Sequence, residues 1–260
     1  MRSIFAGALV LAICFLSTCE EGRAVIIAGS TSVQPYAEVL AEEFAILSPQ
    51  SVIDVQGGGS SAGITAVESG AAEIGMSSRD LKESERHLWS VEIAKDGLAM
   101  IINPGNPVRN LTLAQIRGIY SANILNWSEL GWTDAKIHII TREEGSGTRS
   151  AFEELVMDNL RITPKAIVQD SNGAVRQLVS DDLHSIGFIS MGLVDKTVKA
   201  LQLDGFEATR ENISNGSYSL FRSFLFVAKE RPEDTAMAYI DFVLSPAGQK
   251  LLLDEGLIPE

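Results

Sequence analysis

The sequence predicts an α/β protein of two lobes joined by crossing strands. From residue 24 onward, short apolar runs typical of buried strands alternate with segments whose apolar residues recur at helical spacing. Four of the predicted strands end in loops that place serine, threonine or glycine at the start of a helix. A cluster of proline and glycine at residues 104–107 separates two such regions. Ligands bind at the carboxyl ends of strands in α/β sheets, so the four loops are candidate binding elements.

Composition limits the classes of function. A chain of 260 residues with 45% apolar and 21% charged residues is long enough to bury the core of one or two domains. Its net charge of −13 argues against a nucleic acid or an anionic membrane surface as a partner. An anion would have to be bound by local hydrogen bonds, because the overall field of the protein opposes it.

Residues 1–19 form a predicted targeting segment. A positive charge near the start precedes an apolar run at residues 4–16 that is too short to span a bilayer comfortably. Residues 16–19 resemble a lipobox, which predicts lipidation of Cys19 and attachment to the membrane by a lipid anchor alone. Thr18 is less usual than glycine or alanine before that cysteine, so ordinary signal cleavage and an uncleaved anchor stay open. Cys14 and Cys19 are the only cysteines, so the exported part contains no disulfide.

The first αβ region contains three predicted strands, at residues 24–28, 52–56 and 74–76. Their loops cover residues 29–35, 57–63 and 77–80. The first loop leads into a helix with Tyr36, Leu40 and Phe44 on one face, and the second into a helix that carries Ile64 and Val67. A further apolar strand at residues 98–103 closes this region.

The second region is organised around residues 141–152, which follow a predicted strand at 136–140. Phe152, Leu155, Val156 and Leu160 recur at helical spacing, so a helix that carries them is expected to start near Ser146 or Gly147. Ser146 and Thr148 offer hydroxyls there, and glycine permits close approach of a ligand. Arg142 and Arg149 add guanidinium groups suited to tetrahedral oxyanions. The alternative is a capped helix with charged neighbours. An oxyanion cradle is favoured because free N–H groups and hydroxyls meet there.

Four more elements follow from the apolar pattern. They are a segment at residues 111–120, strands at 186–190 and 220–228, and one closing helix at 235–253.

Enzymatic motifs and metal ligands would give these residues other functions. The sequence at residues 59–63 fits G-x-S-x-G, so a serine hydrolase that uses Ser60 or Ser61 with His184 is an alternative from another class. Residues 145–149 lack the lysine and the spacing of a P-loop. The three histidines are scattered without ligand spacing, so no metal site is predicted. Residues 57–62 partly match the dinucleotide fingerprint, but NAD binding would not explain the comparable loops elsewhere, so no cofactor is predicted.

The loops together resemble the phosphate-binding proteins of ABC-type phosphate transporters. The resemblance is carried by residues 28–35, 57–63, 75–79 and 142–149, and it extends through 171–175, 186–190 and 242–249. It covers essentially the whole exported chain. It implies a type II periplasmic-binding-protein fold, in which two αβα lobes are joined by crossing strands and phosphate is held in the cleft between them.

The resemblance also implies a set of site residues. The phosphate-binding positions are Ser30, Thr31, Ser32, Ser60, Ser61, Ser78, Arg142, Ser146, Gly147 and Thr148. Further or supporting positions are Arg79, Glu144 and Arg149, with Glu144 expected to orient Arg142. One departure concerns an aspartate that, in some members, accepts the proton of hydrogen phosphate. Ser78 stands there in this chain, and Asp80 lies two positions on.

The predicted function is therefore that of an extracytoplasmic receptor, not an enzyme, which delivers inorganic phosphate to an ABC permease. Its rival within the binding class is a receptor for sulfate, molybdate or tungstate. The expected organisation is a signal and lipobox segment at 1–19, a first lobe at 24–103 plus 213–260, and a second lobe at 104–212. A monomer is expected, at the cell surface as a lipoprotein or in the periplasm, with no nucleic-acid partner.

Overall fold

The computed structural model describes residues 24–260. The predicted targeting segment and the lipidation of Cys19 lie outside these described residues. Within residues 24–260, no helix is long and apolar enough to cross a membrane.

Strands and helices alternate along the described chain. The strands are β1 (Val25–Gly29), β2 (Ile53–Gly57), β3 (Ile74–Ser77), β4 (Trp89–Ile102), β5 (Asn110–Leu111), β6 (His138–Arg142), β7 (Ile167–Gln169), β8 (Ser185–Ser190), β9 (Lys199–Ala200), β10 (Gln202–Leu203), β11 (Phe221–Ala228) and β12 (Ile258–Pro259). The α-helices are α1 (Gln34–Leu47), α2 (Ser60–Ser69), α3 (Leu113–Tyr120), α4 (Gly147–Phe152), α5 (Asn172–Asp181), α6 (Arg210–Ser214), α7 (Asp234–Leu244) and α8 (Pro246–Asp254).

One continuous sheet runs through both lobes, in the order β2-β1-β3-β11-β4-β8-β6-β7. The first lobe holds parallel β1, β2 and β3, with β11 antiparallel to β3. The second lobe holds β6, parallel to both β7 and β8. Helices cover these strands, which confirms the predicted α/β class with a two-lobe, type II arrangement.

The strand β4 crosses from one lobe to the other. Up to Gly97 it pairs with β11, and from Leu98 it pairs with β8. We call this change of pairing partner, between Gly97 and Leu98, the changeover. The hydrogen bonding of β4 is not interrupted there, since the N–H of Leu98 donates to the carbonyl of Leu220 at 2.9 Å. All residues from 98 to 102 are buried, as expected for a strand covered on both faces. The lobes are therefore joined by β4 and by the chain that enters β11.

Each lobe has its own hydrophobic core. In the first lobe, Ile27, Tyr36, Phe226 and Tyr239 belong to one buried cluster between the sheet and helices α1 and α7. The second lobe is built around Tyr120, Trp127, Phe152 and Phe188, and the rings of Phe152 and Phe188 stack at 4.2 Å. Stacked aromatic pairs of this kind add to the stabilisation from buried area.

Three predicted elements are corrected by the structure. The closing helix is two helices, because Pro246 cannot continue α7 and Ser245 instead caps α8 through its hydroxyl. The helix after Gly147 ends at Phe152 and passes into a π-helical turn at Glu153–Met157, so it does not reach Leu160. The strand predicted at 98–103 starts at Trp89, since alternating apolar residues extend it into the first lobe.

Candidate anion-binding site

The ends of β1, β3 and β6 and the start of α2 meet between the lobes. Eight residues there form what we call the cleft cluster: Ser30, Ser32, Ser60, Ser78, Arg142, Ser146, Gly147 and Thr148. All eight are buried, with no polar member more than 2% exposed. A buried group of hydroxyls around one guanidinium is a set of hydrogen-bond donors suited to an anion.

Hydrogen bonds connect the cleft residues of the first lobe. Gly29 has φ of +138°, and a Cβ there would lie 2.4 Å from the carbonyl oxygen of Met76. Glycine thus allows β1 and β3 to approach closely enough for Ser30 Oγ to donate to Ser78 Oγ at 2.8 Å. The N–H of Ser78 donates to Ser60 Oγ at 3.1 Å. Three loops are fixed to one another by these bonds.

The second lobe approaches this group through the start of α4. Ser146 caps the helix by accepting from the N–H of Arg149. A Cβ on Gly147 would lie 2.2 Å from Ser60 Oγ, so this contact between the lobes requires glycine. Across the cleft, Ser32 Oγ and Thr148 Oγ1 are 2.7 Å apart. The structure therefore shows the two lobes closed on each other.

Arg142 is the positive charge of the cleft cluster. Its Nε and Nη2 donate to the two carboxylate oxygens of Glu143, each at 3.0 Å. Nη2 also donates to Thr31 Oγ1 at 3.2 Å and to the carbonyl of Asp170 at 2.9 Å. Nη1 is buried and has no hydrogen-bond partner among the described residues. The Nη1 edge of a rigidly held guanidinium is therefore left to donate to an anion.

Two of the predicted positions make contacts at the edge of the cleft cluster. Thr31 is half-buried and accepts from Arg142, and the N–H of Ser61 donates to the carbonyl of Gly145 at 3.1 Å. Both contacts join the lobes.

The expected role of Glu144 is corrected. The carboxylate that holds Arg142 is that of Glu143, whereas Glu144 is exposed and lines a cavity of about 1200 Å³ beside α4. The acidic residue that pairs with Arg142 is therefore one position earlier in the chain than the resemblance implies. This cavity includes none of the hydroxyls of the cleft cluster.

Two further arginines point to structural partners. Arg79 donates to both oxygens of Glu85, at 2.7 and 2.9 Å. Arg149 donates to Glu153 and to the carbonyl of Arg142 at 3.1 Å, which supports the end of β6. Arg79 and Arg149 thus stabilise the loops beside the cleft.

Four polar residues that border the cleft cluster are not among the predicted site residues: Asp96, Asn172, Ser190 and Arg222. Each is buried, and Arg222 and Asn172 both donate to Ser32 Oγ, at 3.2 and 2.8 Å. Burial raises the pKa of the Asp96 carboxyl, and the charge of Arg222 opposes that rise. Of these four residues, Arg222 could have been recognised from the sequence, since it is a charged residue within the apolar strand predicted at 220–228.

The structure does not assemble the hydrolase alternative. Ser60 Oγ lies 3.4 Å from Ser78 Oγ, in the first lobe. His184 is in the second lobe, where its ring packs against Trp132 at 5.4 Å and His138 at 6.3 Å. Residues 24–260 contain no group of three or more histidine, cysteine, aspartate or glutamate side chains placed to hold a metal ion.

Comparison with known proteins adds independent evidence. A family model described as a PBP superfamily domain matches residues 17–247. The phosphate-binding protein PstS of Bacillus subtilis is 31% identical over 92% of this chain and 82% of its own length. That of Borreliella burgdorferi is 28% identical over 99% of both chains. These relatives are named for binding and not for catalysis, in agreement with the prediction that the protein is not an enzyme.

Solved structures resemble the whole described chain. A structure described as a phosphate ABC transporter substrate-binding protein with bound phosphate, from Clostridium perfringens, has a TM-score of 0.89 at 45% identity. It covers 91% of this chain and 99% of its own. An ABC-type phosphate transport receptor from Vibrio cholerae has a TM-score of 0.76 at 40% identity, over 91% and 100% of the two chains. The chain thus belongs to the PBP superfamily, in the family of substrate-binding proteins of phosphate ABC transporters.

Proposed function

We propose that this protein is an extracytoplasmic receptor that binds inorganic phosphate between its two lobes and delivers it to the permease of an ABC transporter. The observation that carries the proposal is the cleft cluster. It joins buried hydroxyls from both lobes to Arg142, whose Nη1 is buried without a hydrogen-bond partner among the described residues. Family membership supports phosphate as the ligand. No chemical step is needed, because the site offers donors and no assembled catalytic group.

We assign phosphate binding to the residues that the sequence selected. Arg142 supplies the charge, the hydroxyls of Ser30, Ser32, Ser60, Ser78, Ser146 and Thr148 and the N–H of Gly147 supply further donors, and Thr31 and Ser61 complete the edges. A bound phosphate would then contact both lobes at once. Binding therefore favours the closed arrangement, which is the state that the permease is proposed to recognise.

Discrimination against sulfate requires an acceptor for the proton of hydrogen phosphate. The cleft cluster contains no carboxylate, and both Asp80 and Glu144 are exposed. We therefore assign the acceptor to a hydroxyl lone pair, with Ser78 as the candidate, or to a backbone carbonyl. A neutral acceptor repels sulfate less than a carboxylate does, so the preference for phosphate should be smaller than in relatives that carry the aspartate.

The boundary between the lobes is proposed at the strand changeover. Leu98 pairs with β8 of the second lobe, and Leu98, Tyr218 and Leu220 all belong to its core. We therefore place the second lobe at residues 98–220, which begins six residues earlier and ends eight residues later than the 104–212 predicted from the sequence. The protein is proposed to act as a monomer that is exported and held at the membrane by a lipid on Cys19.

The function is tested by calorimetry with phosphate, sulfate and molybdate on the soluble domain. Phosphate should bind most tightly. Arg142→Ala should weaken phosphate binding by about 2–4 kcal/mol, or roughly 30- to 1000-fold, because a charge-assisted contact to a buried anion is lost. Arg117→Ala removes an arginine of the second lobe that pairs with Asp158 outside the cleft, and its affinity should stay within about twofold of the parent. A change below threefold for Arg142→Ala would remove Arg142 from the site.

A further inference from the structure

A buried ion pair lies beside the cleft, at the point where the strands cross between the lobes. Asp96 on β4 and Arg222 on β11 face each other in register, next to the changeover at Gly97 and Leu98. The side chain of Asp96 is fully buried and that of Arg222 is 3% exposed. Removing two such charges from water is costly unless each is well satisfied.

Asp96 holds the guanidinium of Arg222 from one side. Its Oδ2 accepts from Nε at 3.1 Å and from Nη2 at 2.9 Å. Its Oδ1 accepts from the hydroxyl of Ser190, at the end of β8, at 2.7 Å. The plane of Arg222 is further fixed because its Cζ lies 5.3 Å from the centre of the Phe224 ring. Arg222 thus has one orientation, and it is set by residues of both lobes.

Nη2 of Arg222 also donates to a residue of the cleft cluster, whereas Nη1 is buried without a hydrogen-bond partner among the described residues. Nη2 lies 3.2 Å from Ser32 Oγ, and the side-chain amide of Asn172 donates to the same oxygen at 2.8 Å. The orientation of that amide is fixed, because its Oδ1 accepts from the N–H of Ser190 at 3.3 Å. Neither donor can reverse its role, since a guanidinium has no acceptor and the amide oxygen of Asn172 is engaged.

The hydroxyl of Ser32 has one hydrogen and two lone pairs. Arg222 and Asn172 occupy both lone pairs, so the hydroxyl is left to donate. In the closed structure its hydrogen is directed at Thr148 Oγ1, 2.7 Å away across the cleft. An anion that enters the cleft cluster would meet a hydroxyl that can only donate.

We propose that Arg222, oriented by Asp96, is a positioning residue that makes Ser32 an obligate hydrogen-bond donor of the anion site. This inference rests on the proposed phosphate-binding function. Asn172 and Ser190 belong to the second lobe and Ser32 to the first, so the arrangement is complete only when the lobes are closed. Closure of the lobes therefore also completes the hydrogen bonds that make Ser32 a donor.

The test is a double-mutant cycle on phosphate affinity, measured by calorimetry on the soluble domain. Ser32→Ala and Arg222→Gln should each weaken binding by about tenfold or more. Because Arg222 acts through Ser32, the two losses should not multiply. The phosphate affinity of the double variant should be within about threefold of that of the single variant with the lower affinity. Arg117→Gln is the matched control, since it makes the same change at an arginine that pairs with Asp158 outside the cleft, and its affinity should match the parent.

Multiplicative losses in the double variant would overturn the inference, since Arg222 would then act on the anion independently of Ser32. An affinity within about twofold of the parent for Arg222→Gln would overturn it as well. If Arg222→Gln does not fold, the same cycle with Asn172→Ala tests the other donor to Ser32 and must show the same lack of additivity. A parent protein that binds no phosphate would remove the proposed function itself, whereas a binding parent with an additive cycle removes only the role of Arg222.

Discussion

The contact between Gly147 and the first lobe predicts that one added methyl group will hold the cleft open. In Gly147→Ala, the new Cβ of the closed form would lie 2.2 Å from Ser60 Oγ, 2.6 Å from Ser78 Oγ and 3.0 Å from Ser60 Cβ. Rotation of the Ser60 hydroxyl relieves only the first of these contacts. The separation from Ser60 Cβ depends on the backbone, so the lobes themselves must move apart.

The size of the effect follows from that movement. Ordinary contacts begin near 3.4 Å, so the lobes must separate locally by several tenths of an ångström to about 1 Å. Such a shift strains the bonds between Ser32 and Thr148 at 2.7 Å and between Ser61 and Gly145 at 3.1 Å. Overpacking of this kind costs about 1–3 kcal/mol, which corresponds to roughly 5- to 150-fold weaker phosphate binding.

The assay is calorimetry with phosphate, together with thermal unfolding without ligand. Stability should be unchanged or slightly raised, since alanine is a better helix former than glycine at the start of α4. Gly145→Ala is the matched control from the same loop, because its Cβ would meet Ser61 Cβ at 3.8 Å, an ordinary contact. Equal phosphate affinity for the parent, Gly145→Ala and Gly147→Ala would refute the closed cleft as the binding state.

Three other predictions address selectivity, acid stability and anchoring. Asp80→Asn should leave the preference for phosphate over sulfate unchanged in competitive titration, because Asp80 is exposed; loss of selectivity would make it the proton acceptor. Burial raises the pKa of Glu85, but its bonds to Arg79 and to the N–H of Lys82, with the charges of both residues, outweigh this and hold the pKa below the ordinary value of 4.5. A carboxyl with a depressed pKa stabilises the folded state above its unfolded pKa and loses that contribution as the pH falls through the folded value. Glu85→Gln should therefore lower the free energy of unfolding by about 1–3 kcal/mol at pH 7, and the difference should shrink below about pH 4.5 in denaturant titrations; a constant difference would contradict this. Cys19→Ser should move the protein from the membrane to the soluble fraction, and retention would refute the lipid anchor.

The α/β class and the loops that meet at the cleft were accessible from the sequence because both depend on local patterns. Strand and helix periodicity is read over about ten residues, and the ends of neighbouring parallel strands lie at one edge of a sheet. The presence of Ser30, Ser60 and Ser78 at such ends was therefore enough to expect them near one another.

The partners of the arginines were not accessible in this way. Whether Glu143 or Glu144 pairs with Arg142 depends on the turn that follows β6, where a shift of one residue reverses the direction of a side chain. Asp96 and Arg222 are far apart along the chain and meet only because β4 and β11 pair. Similarly, Ser245 and Pro246 mark the break between α7 and α8, but the apolar residues keep a helical spacing on both sides of it and so predict a single helix.

The path of the chain through the two lobes also sets an order for folding. The second lobe is formed by one uninterrupted segment, whereas the sheet of the first lobe needs β11 to pair with β3, from which it is separated by roughly 150 residues of chain. Closing so long a loop is entropically unfavourable until the intervening segment is compact. The second lobe should therefore become compact first. Its folding would bring β3 and β11 close together, and the sheet of the first lobe would be completed afterwards.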